Sequence, residues 1–169
     1  MAERSTINPY FVSVLLLAIA LLQTSALPRF SPWGVMPDLM LLVVVSWSLL
    51  RGTRAGIPWA LGGGLILDLI SGGPFGAITI SLTLSSAVTG LEEFNLFRDS
   101  PWLPVFASSL ATVIYDGVFL LILFASGRPV QWGPSLVEVV APCMALNALI
   151  MYPTFWSLRW LHRRTLPIG

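Results

Sequence analysis

The sequence contains no lysine, one cysteine and one histidine, and these scarcities exclude several kinds of site. The lone Cys143 has no second cysteine for an internal disulfide or a cysteine-rich zinc site. The lone His162 likewise has no second histidine for a metal site. Charged residues make up only 10% of the chain, and no basic aromatic patch of the kind that binds nucleic acid is present. We therefore expect no metal, no cofactor and no nucleic-acid partner.

Hydrophobic residues are abundant instead, and they indicate an integral membrane protein. The 169 residues are 56% hydrophobic, and the mean hydropathy is +0.83. Such a chain is too apolar and too weakly charged for an ordinary soluble domain. We expect a single transmembrane domain over residues 1–169, with little of the chain outside the lipid bilayer.

Six apolar segments predict an all-α fold, a compact bundle of six transmembrane helices. The segments are 10–27, 37–50, 57–70, 75–91, 101–125 and 135–160. The second and third are shorter than the roughly 20 residues that a straight crossing of the hydrocarbon core needs. The first also resembles a signal peptide, but the rest of the chain is equally hydrophobic, which favours a retained helix.

The placement of arginine predicts that both termini are cytoplasmic. In that orientation seven arginines lie inside and two outside, as the positive-inside rule requires. Arg51, Arg54 and Arg98 then occupy cytoplasmic turns, whereas Arg29 and Arg128 lie outside.

Small residues recur at every fourth position of the third span and beyond it. The repeat consists of Gly56, Ala60, Gly64, Asp68, Gly72 and Gly76. Residues at this period fall on nearly one helix face, and small side chains there let two helix backbones approach closely. We expect the small residues to be helix-packing positions and Asp68 to point into the bundle.

Other polar residues are also predicted to face inward. Ser108, Thr112 and Asp116 recur every fourth residue along the fifth span and form one stripe. The hydroxyl-rich fourth span indicates a helix that is surrounded by others. Gln23, near the end of the first span, is placed to hydrogen-bond a neighbouring helix.

Four acidic residues lie in the predicted spans, each on a different one. They are Asp38, Asp68, Asp116 and Glu138. In the predicted topology all four lie in the outer half of the bundle, where an acid normally faces the interior, a cavity or a partner. One interpretation is an acidic pocket for a cation, a cationic ligand or an arginine of another protein. The other is structural, with Asp38 capping a helix start and Arg29 or Arg128 neutralising nearby acids.

Several of these motifs resemble the MreD family of bacterial rod shape-determining membrane proteins. The resemblance covers most of the chain from the first to the fifth span, and it implies a location in the bacterial inner membrane. In fold the family is similar to the substrate-binding membrane subunits of energy-coupling-factor transporters. The matching residues are Gln23, Pro37-Asp38-Leu39, Arg51-Gly52, Gly56, the stretch GLILDLISG from Gly64 to Gly72, Gly76, Phe94 to Arg98, and Tyr115-Asp116.

This resemblance implies a non-enzymatic scaffold of the cell-elongation complex, which supports side-wall peptidoglycan synthesis. The expected partner is an MreC-like membrane protein, with indirect links to MreB, a RodA-type glycosyltransferase and its transpeptidase. No nucleophile with a nearby base supports catalysis. On this interpretation Asp68→Asn or Gly64→Leu weakens partner capture while the bundle still inserts. The alternative is a substrate-binding subunit of a vitamin-type transporter, in which the same acids hold a small cationic or polar ligand.

Overall fold

All regular structure in the described part of the chain is helical. The computed structural model describes residues 9–25, 36–91, 100 and 102–165, with the backbone alone at positions 9, 162, 164 and 165. A short helical turn at Trp132–Pro134 and a π-helical segment at Ser135–Val140 lead directly into the last helix. The long helices are α1 Pro9–Ser25, α2 Leu39–Arg51, α3 Thr53–Ser71, α4 Ala77–Thr89, α5 Leu103–Ala125 and α6 Ala141–Thr165.

Helix α2 lies at the centre of the bundle, and the other helices form an arc around it. It contacts all five of them, and the order along the arc is α1, α3, α4, α5 and α6. Every residue from Met40 to Leu50 is buried. The reason lies in its sequence, because a helix that is apolar on all sides is stable only where other apolar surfaces enclose it.

The helices differ in length, and the shortest of the six long ones are the central α2 and α4 of the surrounding arc. Helices α2 and α4 have 13 residues each, which corresponds to about 20 Å against a hydrocarbon core of about 30 Å. By length and composition, two helical segments of the described chain can cross a membrane, Leu103–Ala125 and Trp132–Leu161. Helix α2 is thus as short as the second apolar segment suggested, whereas α3, with 19 residues, is longer than the third segment.

The junction between α2 and α3 corrects the predicted arginine turn. Gly52 alone separates the two helices, and it has a positive φ of 80°, which glycine adopts without strain. Arg51 therefore ends α2 and Arg54 lies in the first turn of α3. Helix α3 begins four residues before the predicted start at residue 57, and Pro58 lies in its second turn. Arg98 lies outside the described residues.

The packing face of α3 meets α4 through the small residues predicted for it. Gly56, Ala60 and Gly64 are all buried, and so is Asp68. A Cβ atom added at Gly64 would lie 2.5 Å from the Cα atom of Thr79, so the two backbones are in direct contact there. Only glycine permits this approach.

The four-residue repeat wrongly predicted that Gly72 and Gly76 are also helix-packing positions. Their φ angles are 66° and 91°, and a Cβ atom added at either would meet nothing within 4 Å. Helix α3 ends at Ser71, so the four-residue spacing no longer places residues on one helix face. Both glycines form the turn into α4 and contribute nothing to helix packing.

Candidate functional site

A polar cavity of about 290 Å³ lies beside the start of α2, among α1, α5 and α6. Seven of the ten residues around it have polar side chains other than thiol or thioether groups, which is unusual in so apolar a chain. We call this space the polar cavity. Its lining residues are Gln23, Thr24, Met36, Pro37, Asp38, Thr112, Tyr115, Asp116, Cys143 and Asn147.

Asp38 forms the N-cap of α2 and is held there by Gln23 of α1. One carboxylate oxygen of Asp38 accepts hydrogen bonds from the Leu41 backbone N–H at 3.0 Å and from Gln23 Nε2 at 3.1 Å. Gln23 Oε1 in turn accepts a hydrogen bond from the Met40 backbone N–H at 2.9 Å. Two of the free N–H groups at the start of α2 are thereby satisfied. The prediction that Gln23 bonds a neighbouring helix is confirmed.

Asn147 of α6 lines the cavity and forms hydrogen bonds to the start of α2 and to α5. Its Oδ1 accepts a hydrogen bond from the Asp38 backbone N–H at 2.9 Å, and its Nδ2 donates to Thr112 Oγ1 at 3.0 Å. Only 1% of Asn147 is exposed, so both groups depend on these partners. Sequence reasoning missed this residue, although a lone asparagine in an apolar helix is a usable signal.

Helix α5 contributes the predicted polar stripe and, beside it, Tyr115. Ser108 and Thr112 are buried, and Thr112 Oγ1 donates back to the Ser108 carbonyl at 2.8 Å. Tyr115 lines the same cavity as Asp38. The inward direction of the stripe is therefore confirmed. The position of Tyr115 at this cavity depends on helix rotation, which spacing alone does not give.

Asp116 is the member of the cavity whose hydrogen bonding is incomplete. Its Oδ2 atom is buried, and it has no hydrogen-bond partner among the residues that the structure describes. A buried carboxylate oxygen without a partner is costly, because it has lost water and gained nothing in exchange. The Asp38 carboxylate lines the same space, so two acids, one from α5 and one from the start of α2, share the polar cavity.

The other two acids lie elsewhere, which corrects the predicted four-acid pocket. Asp68 is 5% exposed, and its two oxygens accept from the backbone N–H groups of Ile78 and Thr79, at 3.0 Å each. The Thr79 hydroxyl donates to the same carboxylate. Asp68 therefore caps α4 from the adjacent helix. Glu138 is exposed on the π-helical segment and does not line the polar cavity.

The polar groups around the cavity are two carboxylic acids, a phenol, a hydroxyl pair and two amides. Within the described ranges, no group of three or more His, Cys, Asp or Glu residues could hold a metal ion. Cys143 lines the cavity, and its thiol donates to the Met36 carbonyl at 3.5 Å. The chemistry available is recognition by two carboxylates, a phenol and amides.

Comparison with known protein families places the chain among shape-determining proteins. The family described as rod shape-determining protein MreD matches residues 4–163, a range that includes every residue lining the polar cavity. Comparison with curated proteins found no match, and comparison with solved structures found none. Because the family match covers nearly all of the 169 residues, the protein belongs to the MreD family, a membrane-associated family with a role in determining rod shape.

Proposed function

We propose that this protein is a non-enzymatic scaffold of the bacterial cell-elongation complex and that it binds an MreC-like membrane protein. Family membership supports the general role in rod shape. The observation that carries the specific proposal is the buried Oδ2 of Asp116, which has no hydrogen-bond partner among the described residues and shares the polar cavity with a second carboxylate. Through this partner the protein acts indirectly with MreB, a RodA-type glycosyltransferase and its transpeptidase.

The proposed topology is a multi-pass bundle in the inner membrane, with six spans and both termini in the cytoplasm. The arginine distribution supports this orientation. The buried position of α2 removes the objection that it is too short, because a helix enclosed by protein need not reach both lipid surfaces. In this orientation the polar cavity lies toward the outer side, where α1 ends and α2 begins.

The proposed ligand of the polar cavity is a lysine or arginine side chain from the membrane-proximal segment of the partner. A guanidinium or ammonium group would supply the hydrogen bond that Asp116 Oδ2 does not receive from the described part of the chain. It would also lie close to Asp38, so the two acids together would offset its loss of water. Such a contact fixes the register of the partner helix more than it adds to affinity.

The size and walls of the cavity favour a side chain over a vitamin-like ligand. Its volume of about 290 Å³ is at the lower limit for small-molecule sites, which are mostly about 300–1,000 Å³. Such sites have largely apolar and aromatic walls, whereas Tyr115 is the one aromatic residue among the lining residues given above. The transporter-subunit alternative therefore gains no support from this cavity.

Asp116→Asn is expected to weaken capture of the MreC-like partner while the bundle stays folded. Loss of one member of a buried charge pair costs about 2–5 kcal/mol, which corresponds to at least a roughly 30-fold loss of affinity. The measurement is a gentle-detergent pull-down of the tagged protein from native membranes, with the amount of co-purified partner quantified by mass spectrometry.

Glu138→Gln is the matched control, because it removes the same charge from an exposed position outside the cavity. It should leave partner recovery unchanged. Equal recovery with Asp116→Asn and wild type would reject the cavity as the binding site. Recovery of nucleotide-binding transporter subunits in place of an MreC-like protein would reject the scaffold role itself.

A further inference from the structure

The C-terminal part of α6 presents two tryptophans and two arginines on one exposed face. Trp156 and Trp160 are 62% and 56% exposed, and Arg159 and Arg163 are also exposed. Their spacing of three, four and seven residues places all four on the same side of the helix. They line a common cavity of about 170 Å³. We call these four residues the Trp-Arg surface.

A second cavity adjoins the Trp-Arg surface and shares both indoles. It has a volume of about 570 Å³ and is lined by Trp156, Ser157, Trp160 and Leu161. The two indoles therefore form a ridge with arginines on one side and a mostly apolar groove on the other. A ligand that fills both cavities needs an anionic part and an apolar part side by side.

The charges on this part of α6 are all of one sign. Between Ala141 and Thr165 the sequence contains no aspartate or glutamate. Arg159 and Arg163 are one helical turn apart, and like charges at this spacing repel each other. An anion placed between the two guanidinium groups removes that repulsion. Phosphate is a suitable anion, because a guanidinium group can donate two parallel hydrogen bonds to its oxygens.

If the last helical segment crosses a bilayer, its length places the Trp-Arg surface at the depth of the lipid phosphates. The apolar helical segment Trp132–Leu161 has 30 residues, which corresponds to about 45 Å. A bilayer measures about 40–45 Å when its headgroup layers are included. If one end of this segment is in one headgroup layer, the Trp-Arg surface is in the other, where indole rings are also favoured.

From these observations we infer that the Trp-Arg surface binds an anionic phospholipid. The guanidinium groups hold the headgroup phosphate, the indoles flank the glycerol region, and an acyl chain occupies the groove beside Ser157 and Leu161. The apolar groove argues for a lipid. Free phosphate would leave the groove unfilled, and an acidic peptide has no acyl chain to occupy it. The inference requires α6 to cross the membrane, but it does not depend on the polar cavity or on the identity of the protein partner.

The test measures binding of phosphatidylglycerol to the full-length protein in detergent, by native mass spectrometry. Arg159→Gln combined with Arg163→Gln should weaken this binding roughly 25-fold, or about fivefold for each arginine removed. Arg54→Gln combined with Arg128→Gln is the control, because it removes the same charge from two other exposed arginines. Binding should remain at the wild-type level in the control. Zwitterionic phosphatidylcholine should bind wild type and variants equally weakly.

Three results would overturn the inference. The first is an equal loss in both double variants, which would mean that total charge alone attracts the lipid. The second is full competition by millimolar inorganic phosphate, which would mean that the surface binds free phosphate. The third is unchanged binding in the Arg159 and Arg163 variant. Trp156→Ala combined with Trp160→Ala provides an independent arm, since it keeps the charge and should still weaken phosphatidylglycerol binding at high salt.

Discussion

Gly64→Leu should prevent the bundle from folding, because no side chain fits between α3 and α4 at this position. A Cβ atom there would lie 2.5 Å from Thr79 Cα and 3.1 Å from Thr79 N, which are backbone atoms that cannot turn aside. Gly64→Ala alone should cost about 1–3 kcal/mol. Leucine adds three more carbon atoms, so its cost should approach the whole stability of a typical domain, about 5–15 kcal/mol. Size-exclusion chromatography of the purified protein should show loss of the monodisperse peak.

Gly117→Ala is the matched control, because Gly117 is also helical and a Cβ atom there would meet nothing within 4 Å. It should leave the unfolding temperature unchanged or slightly raised. This expectation differs from the sequence-based one, in which Gly64→Leu spares the bundle and affects partner capture. A folded Gly64→Leu protein that fails only to capture its partner would show that the sequence-based view was right and the backbone contact wrong.

Asp68→Ala is expected to have the next largest effect, because α4 would lose its cap. The backbone N–H groups of Ile78 and Thr79 would be left buried without acceptors. Each unsatisfied group costs about 1–3 kcal/mol, and more when the lost acceptor is charged. We expect a total loss of about 3–6 kcal/mol in the free energy of unfolding. Thermal unfolding in detergent, followed by the loss of monodisperse protein, is the measurement.

Asp116→Asn provides the comparison for Asp68→Ala, since both remove an acid from the bundle. Asp116 Oδ2 has no hydrogen-bond partner in the described structure, so the stability of the folded protein should not fall. A residue kept for binding at the expense of stability often behaves in this way. If Asp116→Asn destabilised the protein as much as Asp68→Ala, Asp116 would have a structural role and the proposed partner site would lose its main support.

The sequence predicted correctly which side chains face the bundle interior wherever the helix was continuous, because helical periodicity then fixes their direction. The buried position of Asp68 and the direction of the stripe from Ser108 to Asp116 both follow from four-residue spacing. Spacing failed at Gly72 and Gly76, where the helix had already ended. The prediction that Gly64 lies at a close helix–helix contact was correct. The sequence did not show that the neighbouring helix is α4 of the same chain.

Only some residues of the polar cavity could be predicted from the sequence, for a different reason. Asp38 and Asp116 were candidates from sequence, but the hydrogen bonds of Asn147 to Asp38 and Thr112 depend on how α5 and α6 rotate against α2. Rotation is set by packing over the whole helix and is not visible in a local pattern. Glu138 was grouped with the other acids because depth was inferred from position along the chain, whereas the π-helical segment leaves it exposed.

The central position of α2 has a consequence for the order in which the molecule is made. The backbone N–H of Asp38 donates to Asn147, which is 109 residues further along the chain. This hydrogen bond cannot form until Asn147 has been synthesised. At about 5–20 residues per second, a ribosome needs roughly 5–20 s to synthesise that interval. During this time lipid can cover the apolar surface of α2 at little cost, but it cannot satisfy the amide of Asp38. A nascent chain that stops before α6 therefore lacks the acceptor for the Asp38 amide on its central helix, and the polar cavity is among the last parts of the protein to form.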